Sequence, residues 1–156
     1  MTPQSRLLLG RPDDAFATGR CKCTSRPALI GDTHNRLVVP IAVGNIPLEA
    51  VIDTGGSFLI LEQDLGDSLG LDPKEALDAQ AILVRGTLYR GSLHRVDITL
   101  VADQGDSLTF QATTLILDHS DNAPWRLPTY LGWYGCLERL RVAIDPDAGE
   151  FFFGQS

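Results

Sequence analysis

Ala50-Val51-Ile52-Asp53-Thr54-Gly55-Gly56-Ser57 runs directly into Phe58-Leu59-Ile60-Leu61, and the fold turns on how this stretch is read. Two apolar runs joined by a carboxylate and two glycines indicate two buried strands with a glycine-rich turn between them. The plainest reading of Asp53-Thr54-Gly55 is an ordinary turn, since Asp and Gly are common turn residues. A strand end inside a core is nevertheless a costly place for an acid, because an unpaired carboxylate loses its hydration there. The triplet occurs once in the chain. A site needing two such carboxylates would therefore need a second copy of the chain.

On the N-terminal side, residues 37–43 and 46–52 form apolar runs around Gly44-Asn45, the signature of a β-hairpin, with Pro40 suggesting an edge or a bulge. On the C-terminal side, residues 62–69 suit a short helix stopped near Gly70 and Pro73. Residues 81–85, 93–102 and 108–117 are further strands; in the second, Arg95, Asp97 and Thr99 alternate with Val96, Ile98 and Leu100. Gln104-Gly105-Asp106 closes a hairpin, and Gly86-Thr87-Leu88-Tyr89-Arg90-Gly91 is a glycine-bracketed tip suited to a mobile flap. Residues 119–128 read as an irregular loop, followed by Tyr130-Leu131-Gly132 and a short helix over 137–140. A last hairpin turns at Asp145-Pro146-Asp147-Ala148-Gly149. Many short strands with one or two short helices predict a mainly β, closed-barrel domain of antiparallel strands over 36–156. Residues 1–35 carry scattered Pro, Gly and charge without periodicity and read as an extended or partly disordered arm.

The composition excludes several functions. Hydrophobic residues at 44% and charged residues at 21% fit a soluble globular chain of 156 residues. Thirteen basic against twenty acidic residues give a net charge of -7 with no basic cluster, which argues against nucleic acid as a partner. No apolar run reaches the length of a membrane span, and Leu7-Leu8-Leu9 is too short for a signal-peptide core. Three cysteines make a disulfide framework unfavourable, and a cytoplasmic location is expected.

The Asp53 turn, the glycine-bracketed hairpin and Leu131-Gly132 ahead of a short helix and closing hairpin together resemble the retropepsin-like aspartic proteases. The likeness is strongest at residues 50–57. It is also strong where Tyr130-Leu131-Gly132 runs on to Leu137-Glu138-Arg139-Leu140-Arg141-Val142-Ala143-Ile144-Asp145, a segment closer to the bacterial members than the viral ones. The resemblance implies an endopeptidase active as a homodimer on polypeptide substrates, without metal or cofactor. It makes Asp53 the catalytic aspartate and Thr54 the residue tying the two active-site loops together. Gly55 becomes the glycine that admits substrate backbone, Leu131-Gly132 the pair packed beneath the loop, and Gly86 to Gly91 the flap with Tyr89 near its tip. Two such aspartates side by side share one proton, and the pair activates a water. Two departures occur together: Ser57 and Trp133 stand where the viral enzymes have an aspartate and an arginine that pair. Gly56 replaces a commoner alanine.

A second reading follows from those departures: a protease-fold dimer with weak or absent turnover that serves as a peptide-binding or assembly module. A third takes Cys21 and Cys23 as half of a metal site, with His34 or Cys136 completing it; with no second close cysteine pair, free thiols on a loose segment are expected instead. His34, His94 and His119 lack metal or nucleophile spacing and are expected in plain structural roles. Cys136 is expected as a packed thiol, and Trp125 and Trp133 as packing residues. Phe151-Phe152-Phe153 must face both sides of its strand, one towards the core and one towards a partner or covering segment.

Overall fold

The computed structural model describes residues 15–119 and 124–156. Residues 1–14 of the expected arm and 120–123 of the expected loop lie outside the described residues. In chain order the strands are β1 (Gly19–Lys22), β2 (Thr24–Arg26), β3 (Arg36–Val43), β4 (Ile46–Ser57), β5 (Leu59–Leu61) and β6 (Asp78–Val84). They continue with β7 (Thr87–Leu100), β8 (Gln104–Gly105), β9 (Leu108–Leu117), β10 (Thr129–Tyr134), β11 (Leu140–Asp145) and β12 (Glu150–Gln155). Helix α1 (Gln63–Ser68) follows β5, and single 3-10 turns occupy Pro73–Glu75 and Leu137–Arg139. The architecture is mainly β, as the residue pattern predicts.

An eight-stranded sheet in the order β2-β3-β4-β10-β5-β9-β7-β6 closes on itself where β3 also pairs with β7, at Ile41↔Leu100 to Val43↔Ile98. The ring is therefore β3-β4-β10-β5-β9-β7, with β2 and β6 attached outside it. Closure pairs each of the six ring strands on both sides and leaves β2 and β6 as the outer strands of the sheet. Val39, Ile41 and Val43 alternate inward from β3 and meet Leu59, Leu61, Ile98, Leu100 and Leu131 in the barrel core. Pro40 has no N–H to give a ladder. It sits between the part of β3 that β2 covers, Arg36 to Val38, and the part that β7 covers, Ile41 to Val43. The edge-like position expected of it is thus real but local.

Two expectations are corrected here. The barrel is not wholly antiparallel: β10 runs parallel to β4, and β5 runs parallel to β9. Nor is the segment before residue 36 a loose arm throughout. Gly19–Lys22 pairs with β12 and β8 in a second sheet, β11-β12-β1-β8, and Thr24–Arg26 pairs with β3. Cys21 and Cys23 are consequently core residues rather than free thiols on a loose segment. Burial pushes the Cys21 thiol up to about 12, with Asp103 and Cys23 adding to the rise. Burial likewise raises Cys23. Thiols held protonated in an apolar core are poor metal ligands, since it is the thiolate that binds.

The phenylalanine run resolves as the strand period requires. Phe151 and Phe153 enter the barrel core, each burial contributing about 2–3 kcal/mol. Phe152 faces the other way and packs with Ala17, Phe16 and Ala143, so a covering segment from the N-terminal side takes up the second face. No helix among the described residues is long and apolar enough to cross a membrane.

Candidate active site

β4 and β5 do not lie side by side. β10 runs between them, parallel to β4 and antiparallel to β5, with Tyr130 opposite Val51 on one flank and Ile60 on the other. Gly132 faces Asp53 and Tyr134 faces Ser57, so Thr54-Gly55-Gly56 bulge outward against the single residue Trp133. The reversal falls at Phe58, a non-glycine residue held at a φ of +66°, rather than at Asp53. A bulge beside a site is a common way of aiming one side chain.

The loop is locked from below by backbone. The Gly132 amide donates to the Phe58 carbonyl at 2.9 Å, and the Phe58 amide donates to the Tyr134 carbonyl at 2.9 Å. A Cβ on Gly132 would lie 2.3 Å from the Phe58 carbonyl oxygen and 2.8 Å from the Ser57 carbonyl carbon. Leu131 is fully buried in the barrel core and anchors the strand. Phe58 and Tyr134 add an edge-to-face ring contact at 5.8 Å. Farther out, the Gly135 amide donates to Glu138 Oε1 at 2.6 Å, and Arg139 donates to the Gln111 carbonyl at 2.6 Å and to Thr113 Oγ1 at 3.2 Å. Ser57 and Trp133, both exposed, thus stand on a loop braced by main-chain hydrogen bonds.

On this base, Asp53 is half-buried, and its Oδ1 accepts the Gly55 amide at 3.2 Å. Gly56 lies directly under the carboxylate: a Cβ there would come within 2.5 Å of Asp53 Oδ2. Thr54 is exposed, and its hydroxyl makes no hydrogen bond among the described residues. A cleft of about 710 Å³ opens above the loop, with Asp53, Gly55, Gly56 and Ser57 at its floor. Ile82, Leu83, Val84 and Arg85 overhang it, and Arg36 and Tyr130 form part of its wall.

The overhang is the β6–β7 hairpin, whose register ends at Val84↔Thr87. Its turn is Arg85-Gly86, both at positive φ (+50° and +81°), the conformation of a type I′ hairpin turn. This corrects the expected tip. Thr87, Leu88, Tyr89, Arg90 and Gly91 belong to the returning strand. Tyr89 pairs with Ile82, two pairs back from the turn, and its ring meets Trp125 edge-on at 4.9 Å. Trp125 also contacts Tyr130, the packing role expected of it. Gly91 is required by packing, since a Cβ there would lie 2.3 Å from the Ile116 carbonyl oxygen.

Sequence reasoning missed Arg36, Arg85 and Tyr130 as cleft residues. Arg85-Gly86 between two alternating runs was the available signal for the first turn of the flap. Burial pushes the Tyr130 phenol up, Arg85 and Arg36 draw it back, and Asp53 and Asp32 add to the rise. Arg36, Arg85, Asp53 and Tyr130 all line the one cleft.

Of the histidines, His34 bonds to Thr33, His94 is buried against Ser92, and His119 approaches Asp64 at 3.2 Å. Among the described residues, one group of acidic and histidine side chains is close enough to share an ion: Asp64, Asp67 and His119, all exposed. It lies on α1 and the segment after β9, not on the Asp53 loop. Cys136 is buried, and burial pushes its thiol up to about 12, with Arg139 and the Leu137 backbone opposing.

The sequence profile of the aspartyl protease family matches residues 39–118, from the first barrel strand to just past β9 and just over half of the chain. The chain belongs to the aspartyl protease family. Within that family, its fold is similar to the crystal structure of a retropepsin-like aspartic protease from Rickettsia conorii. The TM-score is 0.55 at 16% identity, covering 87% of this chain and 98% of the other. At that identity the likeness speaks for the fold, and the retropepsin-like expectation for the fold is met. No curated protein matches this aspartyl protease sequence.

Proposed function

We propose that this aspartyl protease is an endopeptidase active as a homodimer, with one Asp53 from each chain forming the catalytic pair. The observation that carries the reading is the position of Asp53. A single carboxylate stands at the start of a braced bulge, on the floor of a cleft that a β-hairpin overhangs. One carboxylate is half of what peptide hydrolysis requires, and a second copy related by two-fold symmetry supplies the rest. The unpartnered hydroxyl of Thr54 on the same exposed edge suits a contact made across such a pair.

In this mechanism the two carboxylates hold one proton between them. The ionised one takes a proton from a bound water, whose oxygen attacks the peptide carbonyl carbon. The protonated one donates to the carbonyl oxygen, giving a neutral tetrahedral diol. Collapse of the diol breaks the C–N bond as a proton passes to the leaving nitrogen, and the shared proton is restored. The reaction so written uses no metal or cofactor.

The alternative, a peptide-binding or assembly module without turnover, drew its motive from the missing pair at Ser57 and Trp133. A loop braced by the Gly132–Phe58 and Phe58–Tyr134 hydrogen bonds weakens that motive. The deciding experiment digests a peptide library with the wild-type chain and with Asp53→Asn, while sedimentation reports the oligomer. Cleavage by a dimer that is lost in the variant supports the reading. Undiminished cleavage by Asp53→Asn, or a monomer that cleaves, refutes it.

A further inference from the structure

The chain is acidic overall, at -7, yet one end of its cleft is cationic. Arg36 and Arg85 line the cleft that holds Asp53, and both also line an adjoining depression of about 400 Å³ together with Arg126. Asp32 offsets part of this charge, since its carboxylate pairs with Arg36 at 3.3 Å. Arg85 and Arg126 make no ion pair among the described residues. Arg85 also occupies a backbone position that disfavours it: the first central residue of a type I′ turn, at a φ of +50°, where Asn or Gly is the usual occupant. A long charged side chain kept at a strained hairpin tip over a cleft is a reason to look for a ligand of opposite charge.

We infer that this end of the cleft is a subsite for an acidic side chain of the substrate, making the protein a protease that prefers peptides with Asp or Glu beside the scissile bond. The inference rests on the endopeptidase reading. The guanidinium fork matches a carboxylate in a way a lysine would not, offering two parallel hydrogen bonds as well as charge. Arg85 rides on the hairpin tip and Arg126 on the segment before β10, so an acidic side chain between them would be held from the flap side and the wall side together. In a two-fold dimer each half of the groove carries one such subsite, and acidic residues on either side of the cut bond are favoured.

The test uses the full chain. A peptide-library digest locates the preferred bond, and three matched peptides then carry Glu, Gln or Lys at the flanking position. The Glu peptide is expected to exceed its Gln isostere in kcat/KM by about 10-fold, mainly through KM, with the gap narrowing as salt is added. Arg85→Asn suits the turn and removes the cation; it is expected to reduce the Glu-to-Gln ratio to about 2-fold. Arg85→Glu is expected to turn the preference towards Lys. Equal cleavage of all three peptides, or a ratio that survives both substitutions, overturns the subsite. If the wild type cuts no peptide, the endopeptidase reading fails instead. Fluorescence anisotropy of the Glu and Lys peptides on Asp53→Asn then still decides the charge preference.

Discussion

The amide of Gly132 hydrogen-bonds the carbonyl of Phe58 at 2.9 Å, at a spacing that leaves no room for a side chain on Gly132. These two residues come from distant parts of the chain, and between them they hold the loop that carries Asp53. The obstructing atoms are backbone, so they cannot rotate away. Gly132→Ala is expected to cost about 3 kcal/mol, the upper end of overpacking penalties, and to lower the urea midpoint accordingly. Gly86→Ala is a useful contrast. Nothing lies within 4 Å of that added Cβ, and only the positive φ opposes it, so a loss of about 1 kcal/mol is expected.

Asp53→Asn separates chemistry from folding. The carboxylate is half-buried and accepts one amide, from Gly55, which an Asn oxygen can also accept. Its loss is expected to lower kcat by about 10³-fold or more while leaving the denaturation midpoint within about 0.5 kcal/mol of wild type. A fall in stability that tracks the loss of activity would assign Asp53 a structural role instead.

The thiols supply a test of the N-terminal strand. Cys21 and Cys136 are both pushed up to about 12 by burial, and Cys23 is raised as well. Their folded-state pKa values exceed the unfolded reference of 9.0. The contribution to stability is therefore fully present below pH 9 and is lost as pH rises from there towards 12. Alkylation at pH 8 is expected to run about 10²-fold slower in the native protein than in urea, for all three thiols together. Fast native labelling of Cys21 or Cys23 would mean that β1 is not part of the stable fold.

His94 gives an acid-side dependence. Burial lowers its pKa below 6.5, against smaller opposing effects of Asp72 and Glu75, and Ser92 Oγ lies 2.9 Å from its Nε2. A histidine kept neutral by folding binds its proton first in the unfolded chain. Stability is thus full above pH 6.5 and falls as pH drops from there towards the lowered folded value. Denaturant midpoints followed from pH 7.5 to pH 5 are expected to decline for the wild type and to flatten in His94→Gln.

Much of the fold was legible because its signals are local. Gly44-Asn45 and the Asp145 to Gly149 stretch mark their hairpins, and both register as two well-paired strands. The Asp53 loop announced itself by an acid between apolar runs. What escaped notice depends on distant partners. Nothing in residues 129–134 states that they will run between β4 and β5, since parallel pairing leaves no turn signature. Cys21 and Cys23 gave little hydrophobic pattern, yet pairing with β12 and β8 places β1 in a sheet. The flap tip was misplaced because glycines at 86 and 91 suggested a bracket, whereas the actual turn spends an arginine at positive φ. Gly91 answers to a neighbouring strand instead.

The insertion of β10 between β4 and β5 also sets an order of events during synthesis. A ribosome that has released everything through β9 has made Asp53, Thr54 and Gly55, but not the strand that separates β4 from β5 and fixes the loop between them. The nascent chain therefore carries the acid without the scaffold that aims it. The loop's support is complete only once residues 129–134 have been made, so the part of the chain that carries the acid waits on a strand made long after it.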